Sequence, residues 1–264
     1  MASSPASAPP LARPEWTSRT AAFFDLDRTM LAGSSMYPLA AALRRAGLLR
    51  LTDLLRFAAA QAVFRIARRE GQNGIDRACA VSLKTIAGRS QDELFAIADD
   101  VIHATLSARI YEEAIRHLDE HVRKGDLVFI VTSSSEDLAR LLAQHLGADG
   151  ALGTRTEVVD GRFTGRLRDG LNHGPKKAER VRAFAYAAGI DLARSTAYTD
   201  SINDLPLLEL VGRPIVVNPD RQLSRVAAAN SWDALTWRRP IGATRRRCTC
   251  ATGVQQYGPL STPA

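Results

Sequence analysis

The chain has 264 residues, 45% of them hydrophobic, enough to bury one large core or two modest ones, which excludes disorder throughout. Its net charge of +7 invites a nucleic-acid reading. Residues 234–264, however, carry Arg238, Arg239, Arg245, Arg246 and Arg247 with no acid, and residues 21–233 come to only +1. No aromatic residues interleave those arginines, so residues 234–264 read as a basic, disordered tail, which argues against nucleic acid as a partner.

Residues 1–20, rich in Ala, Pro and Ser, read as a flexible leader. They lack a basic start followed by an apolar stretch, so the protein is expected in the cytoplasm. Ala21-Ala22-Phe23-Phe24 reads as a short buried strand. It ends abruptly in Asp25 and Asp27, and carboxylates spaced i, i+2 on an extended backbone point the same way. From residue 37 to about 121 the pattern turns helical, through Leu39, Leu43 and Ala46, then Leu51 to Ala62, then Leu94, Ile97, Val101 and Ile102. The apolar-leaning stretch 48–66 is broken by Arg50, Asp53, Arg56 and Arg65, charges too costly for a bilayer centre, so no membrane insertion is expected. Cys79 reads as a small buried hydrophobe, and Cys248 and Cys250 are too isolated for a metal site or a disulfide framework.

Asp126 to Thr132 reads as a second buried strand, bounded by Gly125. Ser133, Ser134 and Ser135 lead into an N-capped helix that starts at Glu136 and ends at Gly147. Residues 154–167 alternate around Asp160-Gly161, the mark of a hairpin at the sheet's margin. A helix over 175–188 closes at Gly189, followed by a strand over 196–199, a helix near 205–210 and a strand over 214–217. Strands alternating with helices predict a Rossmann-like α/β sandwich on a parallel sheet, with the helical block 37–121 inserted between 21–36 and 122–233.

In such a sheet ligands sit beyond the carboxyl ends of the strands, and three of these ends carry Asp25 and Asp27, Thr132, and Asp200. Asp200-Ser201-Ile202-Asn203-Asp204 adds carboxylates at i, i+4 with an amide between them, a set suited to a hard cation with oxygen ligands. The five histidines, at 103, 117, 121, 145 and 173, match no metal spacing and read as solvated or helix-surface residues.

Asp25-Leu26-Asp27-Arg28-Thr29, Val131-Thr132, Lys177 and Asp200-x-x-Asn203-Asp204 resemble, in the right order, the four motifs of the haloacid dehalogenase superfamily. The run 23–35, the hairpin 158–167 and the run 200–219 resemble its phosphoserine-phosphatase-like subfamily IB. That resemblance implies a Mg²⁺-dependent phosphatase of a small phosphorylated substrate, phosphoserine-like compounds among them. It makes Asp25 the nucleophile that becomes an aspartyl-phosphate, and Asp27 the general acid and base. Thr132 and the backbone near Ser133 would hold a phosphoryl oxygen, and Lys177 would neutralise charge, with Lys176 its substitute in Gly174-Pro175-Lys176-Lys177. Asp25, the Asp27 backbone carbonyl and Asp200 would hold Mg²⁺, with Asn203 and Asp204 in support. Residues 37–121 match the position of a C1 cap that closes over the crevice and selects the leaving group. Thr29, Ser34, Ser35, Ser133 and Arg89 are the candidate substrate contacts. Arg28 stands where the family often has a small residue and has no assigned role. A phosphotransferase or mutase would use the same chemistry, and a regulatory protein that senses a phosphorylated signal, or binds an acidic partner through the tail, is the reading from another class. The sequence leaves the oligomeric state open.

Overall fold

The computed structural model of the chain describes residues 19–49, 79–80 and 82–242. In chain order its elements are β1 (Ala21–Phe24), α1 (Met36–Arg45), α2 (Gln91–Val101), α3 (Glu112–Lys124), β2 (Leu127–Ser135) and α4 (Glu136–Leu146). There follow β3 (Gly150–Thr154), β4 (Thr156–Val159), β5 (Arg162–Leu167), α5 (Pro175–Ala188) and β6 (Thr196–Thr199). The last are α6 (Leu205–Leu208), β7 (Arg213–Val217), α7 (Arg221–Ala229) and β8 (Asp233–Leu235).

Six of the strands pair in parallel in the order β3-β2-β1-β6-β7-β8, so β1 lies inside the sheet with both neighbours in register. Alternation along the strands builds a layer on each face. Ala22, Phe24, Val128 and Ile130 pack with Ala114 and Leu118 of α3 and Leu138 and Leu142 of α4. Ala21, Phe23, Phe129 and Val131 face the other way, onto Ala178 and Val181 of α5 and Leu223 of α7. Full burial of Phe23 and Phe24 contributes about 1.5–3 kcal/mol for each ring. The result is the expected α/β sandwich with a parallel sheet, and all its carboxyl strand ends lie along one edge.

Several boundaries differ from the sequence reading. Helix α3, expected within the inserted helical block, packs on β1 and β2 and therefore belongs to the sandwich. Strand β2 runs past Thr132 to Ser135, and Ser135 makes no side-chain cap to α4. The hairpin turns at Asp160-Gly161 as foreseen, both residues having positive φ, but β4 and β5 form a separate two-stranded sheet. Residues 234–242 do not open a disordered tail. Ala234 and Leu235 pair with β7, and Trp237, 4% exposed, stacks on His117. Sequence alone hides this short segment because its three-residue strand carries too little apolar pattern to register.

His121 is buried, against the expected surface role, because two polar groups reach it inside the sandwich. Its Nδ1 lies 2.7 Å from Asp126 Oδ2 and its Nε2 lies 2.9 Å from the Tyr198 hydroxyl. Cys79 is half-buried rather than enclosed. Among the described residues no helix is long and apolar enough to cross a membrane. The expected leader before residue 19, the helix over 51–62 and the end of the basic tail, with Cys248 and Cys250, lie outside the described residues.

Candidate active site

Strand β1 stops at Phe24, so a tight loop, not an extended strand, presents the first two carboxylates. Leu26 turns down into the core while Arg28 takes a left-handed conformation with φ 69°, at a backbone cost of about 1–2 kcal/mol for a residue with a Cβ. Non-glycine residues keep such conformations where the surroundings over-determine them, commonly at functional sites. Arg28 Nη2 then lies 2.6 Å from Asp200 Oδ2, at the end of β6. Thr29 Oγ1 is 3.5 Å from the other Asp200 oxygen, the long limit of a hydrogen bond.

Beneath Asp25 sits Lys177, from the first turn of α5 and 1% exposed. Its Nζ donates to Asp25 Oδ1 and to Asp204 Oδ2, both at 2.7 Å, and the Thr199 hydroxyl also donates to Asp204 Oδ2 at 2.8 Å. Lys177 is thus the lysine that faces the carboxylates, whereas Lys176 lies against Gly170. Asp204, expected beside a metal, has one oxygen committed to holding Lys177 in place.

Asp27 is fixed differently. The Ser35 backbone N–H donates to its Oδ1 at 2.6 Å and the Ser134 hydroxyl to its Oδ2 at 2.9 Å. The Ser35 and Ser134 hydroxyls lie 3.2 Å apart. Ser35 and Ser134 therefore join the base of α1 to the end of β2 through the Asp27 carboxylate. Thr132 is buried behind this layer, its Oγ1 accepting from the Ser134 N–H at 3.0 Å. Ser34, Ser133 and Asn203 line the cleft, and Thr29 is buried under it. Arg89 touches the hairpin through its backbone, accepting from the Phe163 N–H, and its side chain is not among the cleft walls.

Burial dominates the electrostatics of this edge. It pushes Asp25 up to about 7, with Lys177 acting against the rise and Asp204 and Asp200 adding to it. Asp200 is likewise raised to about 6 by burial, with Arg28 opposing. Burial works against the charge on Lys177, but Asp204 and Asp25 outweigh it and hold the ammonium firmly protonated. Three crowded acids therefore share one buried lysine and a half-exposed arginine.

That shortage of positive charge bears on Mg²⁺. Asp200 Oδ2 is buried and accepts no hydrogen bond of ordinary geometry despite its nearness to Arg28. The donors at the edge are oxygens, the type Mg²⁺ takes. Among the described residues no three His, Cys, Asp or Glu side chains converge as a complete metal cluster. Mg²⁺ is commonly held by one or two carboxylates with water completing its shell, and the paired acids Asp25 and Asp200 are of that donor type.

Three residues of this region escaped the sequence reading as individuals. Ser134 was one of an undifferentiated run of hydroxyls. Asn172, fully buried in a loop, donates to the Thr132 carbonyl at 2.8 Å and to the Leu152 carbonyl at 3.2 Å, tying β2 to β3, and no local pattern marks it. Asp220 caps α7 and accepts from the Ile202 N–H at 2.9 Å, while its own N–H donates to the Asp200 carbonyl at 2.8 Å. An Asp before a helical run signals the cap but not this second task.

The cleft above these groups has a volume of about 450 Å³. Its outer wall comes from α1, residues 82–86 and α2, and the β4–β5 hairpin closes one side. The Gly88 N–H donates to the Phe163 carbonyl at 2.7 Å and the Gln91 N–H to the Gly161 carbonyl at 2.9 Å, so hairpin and helical wall are joined.

The family model for haloacid dehalogenase-like hydrolases matches residues 22–209. The chain is 37% identical over 218 residues to the phosphoserine phosphatase SerB1 of Mycobacterium tuberculosis, covering 83% of this chain and 71% of that one. A solved structure of a protein of unknown function from Bordetella pertussis Tohama I superposes with a TM-score of 0.73 at 31% identity, over 83% of this chain and 99% of that one. A phospho-aspartyl intermediate analogue of phosphoserine phosphatase shares the fold at a TM-score of 0.57 and 17% identity, over 85% and 96% of the two chains.

Proposed function

The chain belongs to the haloacid dehalogenase-like hydrolase family and is a phosphatase of that family, and from this premise we propose that it is a Mg²⁺-dependent phosphomonoesterase working through Asp25. The observation that carries the reading is the separation of Asp25 from Asp27. One is clamped by a buried ammonium, the other by a hydroxyl and an N–H on the cleft wall.

Asp25 attacks phosphorus through a carboxylate oxygen, the ester P–O bond breaks, and Asp27 gives its proton to the departing alcohol oxygen. Asp27 then takes a proton from water, whose oxygen displaces Asp25 from phosphorus. Inorganic phosphate leaves and both carboxyl groups return to their starting states. Lys177 orients Asp25 and lowers the cost of bringing an anionic ester beside it. The Ser133 and Ser134 segment supplies the polar wall against which the phosphoryl oxygens rest, with Thr132 supporting it from behind. Asp25 and Asp200, with the Asp27 backbone carbonyl, would hold Mg²⁺, and Asn203 would lie beside it. When bound, the cation offsets the charge of the acids and of the phosphoryl group.

The wall formed by α1, residues 82–86 and α2 serves as the cap that excludes water and selects the alcohol. Release of phosphate from an aryl phosphate, measured with Mg²⁺, with a chelator, and with Asp25→Asn, tests the proposal. The wild-type chain should turn over only with the metal, and Asp25→Asn should lose activity by about 10³-fold or more. An Asp25→Asn protein as active as the wild type would overturn the mechanism.

A further inference from the structure

The cleft is divided by chemistry. Its charged groups gather at the strand ends, around Asp25, Asp27, Arg28, Asp200 and Asp204. Away from them most of the wall is apolar, with Leu39 and Leu43 on α1, Leu83 and Ile86 in residues 82–86, and Leu94 and Phe95 on α2, interrupted by the hydroxyls of Tyr37, Ser82 and Thr85. All but Leu43 are only half-buried while lining the cleft, and Leu39 also packs against the core. Across the space, Leu138 and Phe163 continue the same character from α4 and β5.

Resting on the phosphatase reading above, we propose that the phosphate monoester accepted here carries an apolar alcohol, an extended alkyl chain or a ring, and not a small zwitterion such as serine. A volume of about 450 Å³ lies in the range of about 300–1,000 Å³ that takes drug-sized ligands, well beyond a phosphate with three carbons. Serine would also bring an ammonium and a carboxylate, and each needs a partner when removed from water. Among the described residues the cation of the cleft lining, Arg28, already faces Asp200. Apart from the strand-end cluster, the ionisable side chains on the described walls are Tyr37, Cys79, Asp137 and His173, with no Lys or Arg among them. Burial pushes the Asp137 carboxyl up from its usual range, with Glu136 adding to the rise. An alkyl or aryl group asks for none of these partners and removes apolar surface from water on both sides.

The test uses the full chain with Mg²⁺ and a series of n-alkyl phosphates from ethyl to octyl, kept below their micelle-forming concentrations, beside phosphoserine and an aryl phosphate. The expected kcat/KM rises about threefold or more per added methylene over the first several carbons, and phosphoserine falls with the shortest esters. Leu94→Ser and Leu83→Ser should each flatten the rise, with the loss in kcat/KM growing with chain length and largest for octyl phosphate. Octylphosphonate should inhibit aryl phosphate hydrolysis far more strongly than ethylphosphonate. Equal turnover of ethyl and octyl phosphate, or a preference for phosphoserine, overturns the apolar-alcohol assignment while the phosphatase reading stands. Release of phosphate from no ester overturns both.

Discussion

Arg28 meets Asp200 at 2.6 Å from a left-handed backbone, so the residue in the first motif without a family role is placed on the acid expected to bind metal. An arginine there offsets the charge of Asp200, and on the proposed mechanism it would compete with a metal for that carboxylate. Arg28→Asn keeps a side chain that tolerates positive φ and removes the charge. Its Mg²⁺ midpoint, read from aryl phosphate turnover, is expected to fall by about two- to tenfold. Folding stability should change by no more than about 1 kcal/mol, since Arg28 is half exposed. A midpoint that rises would show that Arg28 assists the metal.

Lys177 behaves as the opposite case because it is enclosed. Removing it leaves Asp25 and Asp204 buried without their shared cation, so Lys177→Met is expected to cost about 3–5 kcal/mol in addition to abolishing turnover. Adding Asp204→Asn to Lys177→Met removes one of the stranded charges and should recover part of the loss. The pair couples because both side chains belong to one network. Denaturant midpoints of the two single variants and the double variant measure this, and strict additivity would break the network account.

The proton load of the site gives a pH dependence with a definite sign. Asp25 is raised from 3.8 to about 7 and Asp200 from 3.8 to about 6 in the metal-free fold. Between the ordinary and raised values the folded chain holds protons that the unfolded chain releases. Their contribution to metal-free stability is therefore present near pH 4 and lost as pH rises towards 7. Mg²⁺ needs the ionised acids, so protons compete with it below pH about 7. The Mg²⁺ midpoint should rise by about tenfold or more between pH 8 and pH 5.5, followed by calorimetry of the wild-type chain. A midpoint flat across that range would exclude these acids as the ligands.

The site was more legible than its supports. Asp25, Asp27 and Asp200 could be picked out because each follows an apolar strand, where a polar residue must face the sheet edge, whereas Lys177 was marked only by the family resemblance. Asn172 and Ser134 act through the backbone carbonyl and carboxylate they touch, across 40 and 107 positions of chain, and no local pattern encodes such distances. That both faces of the sheet are covered was readable from the continuous apolar runs of β1 and β2. The limits of α3 were not, because an amphipathic helix shows the same stripe whether it covers a sheet or another helix.

The segment 234–242 escaped for a further reason, and it supplies the sharpest stability test. Trp237 stacks against His117 and meets Tyr111 edge-on, and Asn218 brackets it through two hydrogen bonds, donating to the Trp237 carbonyl at 3.0 Å and accepting from its N–H at 3.1 Å. The Arg238 and Arg239 N–H groups donate to the Glu113 carboxylate at 3.2 and 3.3 Å, and the Glu112 N–H donates to the Arg239 carbonyl at 2.7 Å. The basic residues here dock by their backbone, so their charge misdirects a reading based on composition. A chain ending at Asp233 loses the pairing of β8 with β7 as well as this ring, whereas one ending at Gly242 keeps both. The shorter chain is expected to be less stable than the longer by at least the 3–5 kcal/mol or so that a buried Trp→Ala change costs, and Trp237→Ala alone should show most of that difference. Thermal midpoints of the three proteins decide it. Equal midpoints for the two truncations would mean that residues 234–242 add nothing to the sandwich, and that the sheet is complete at β7.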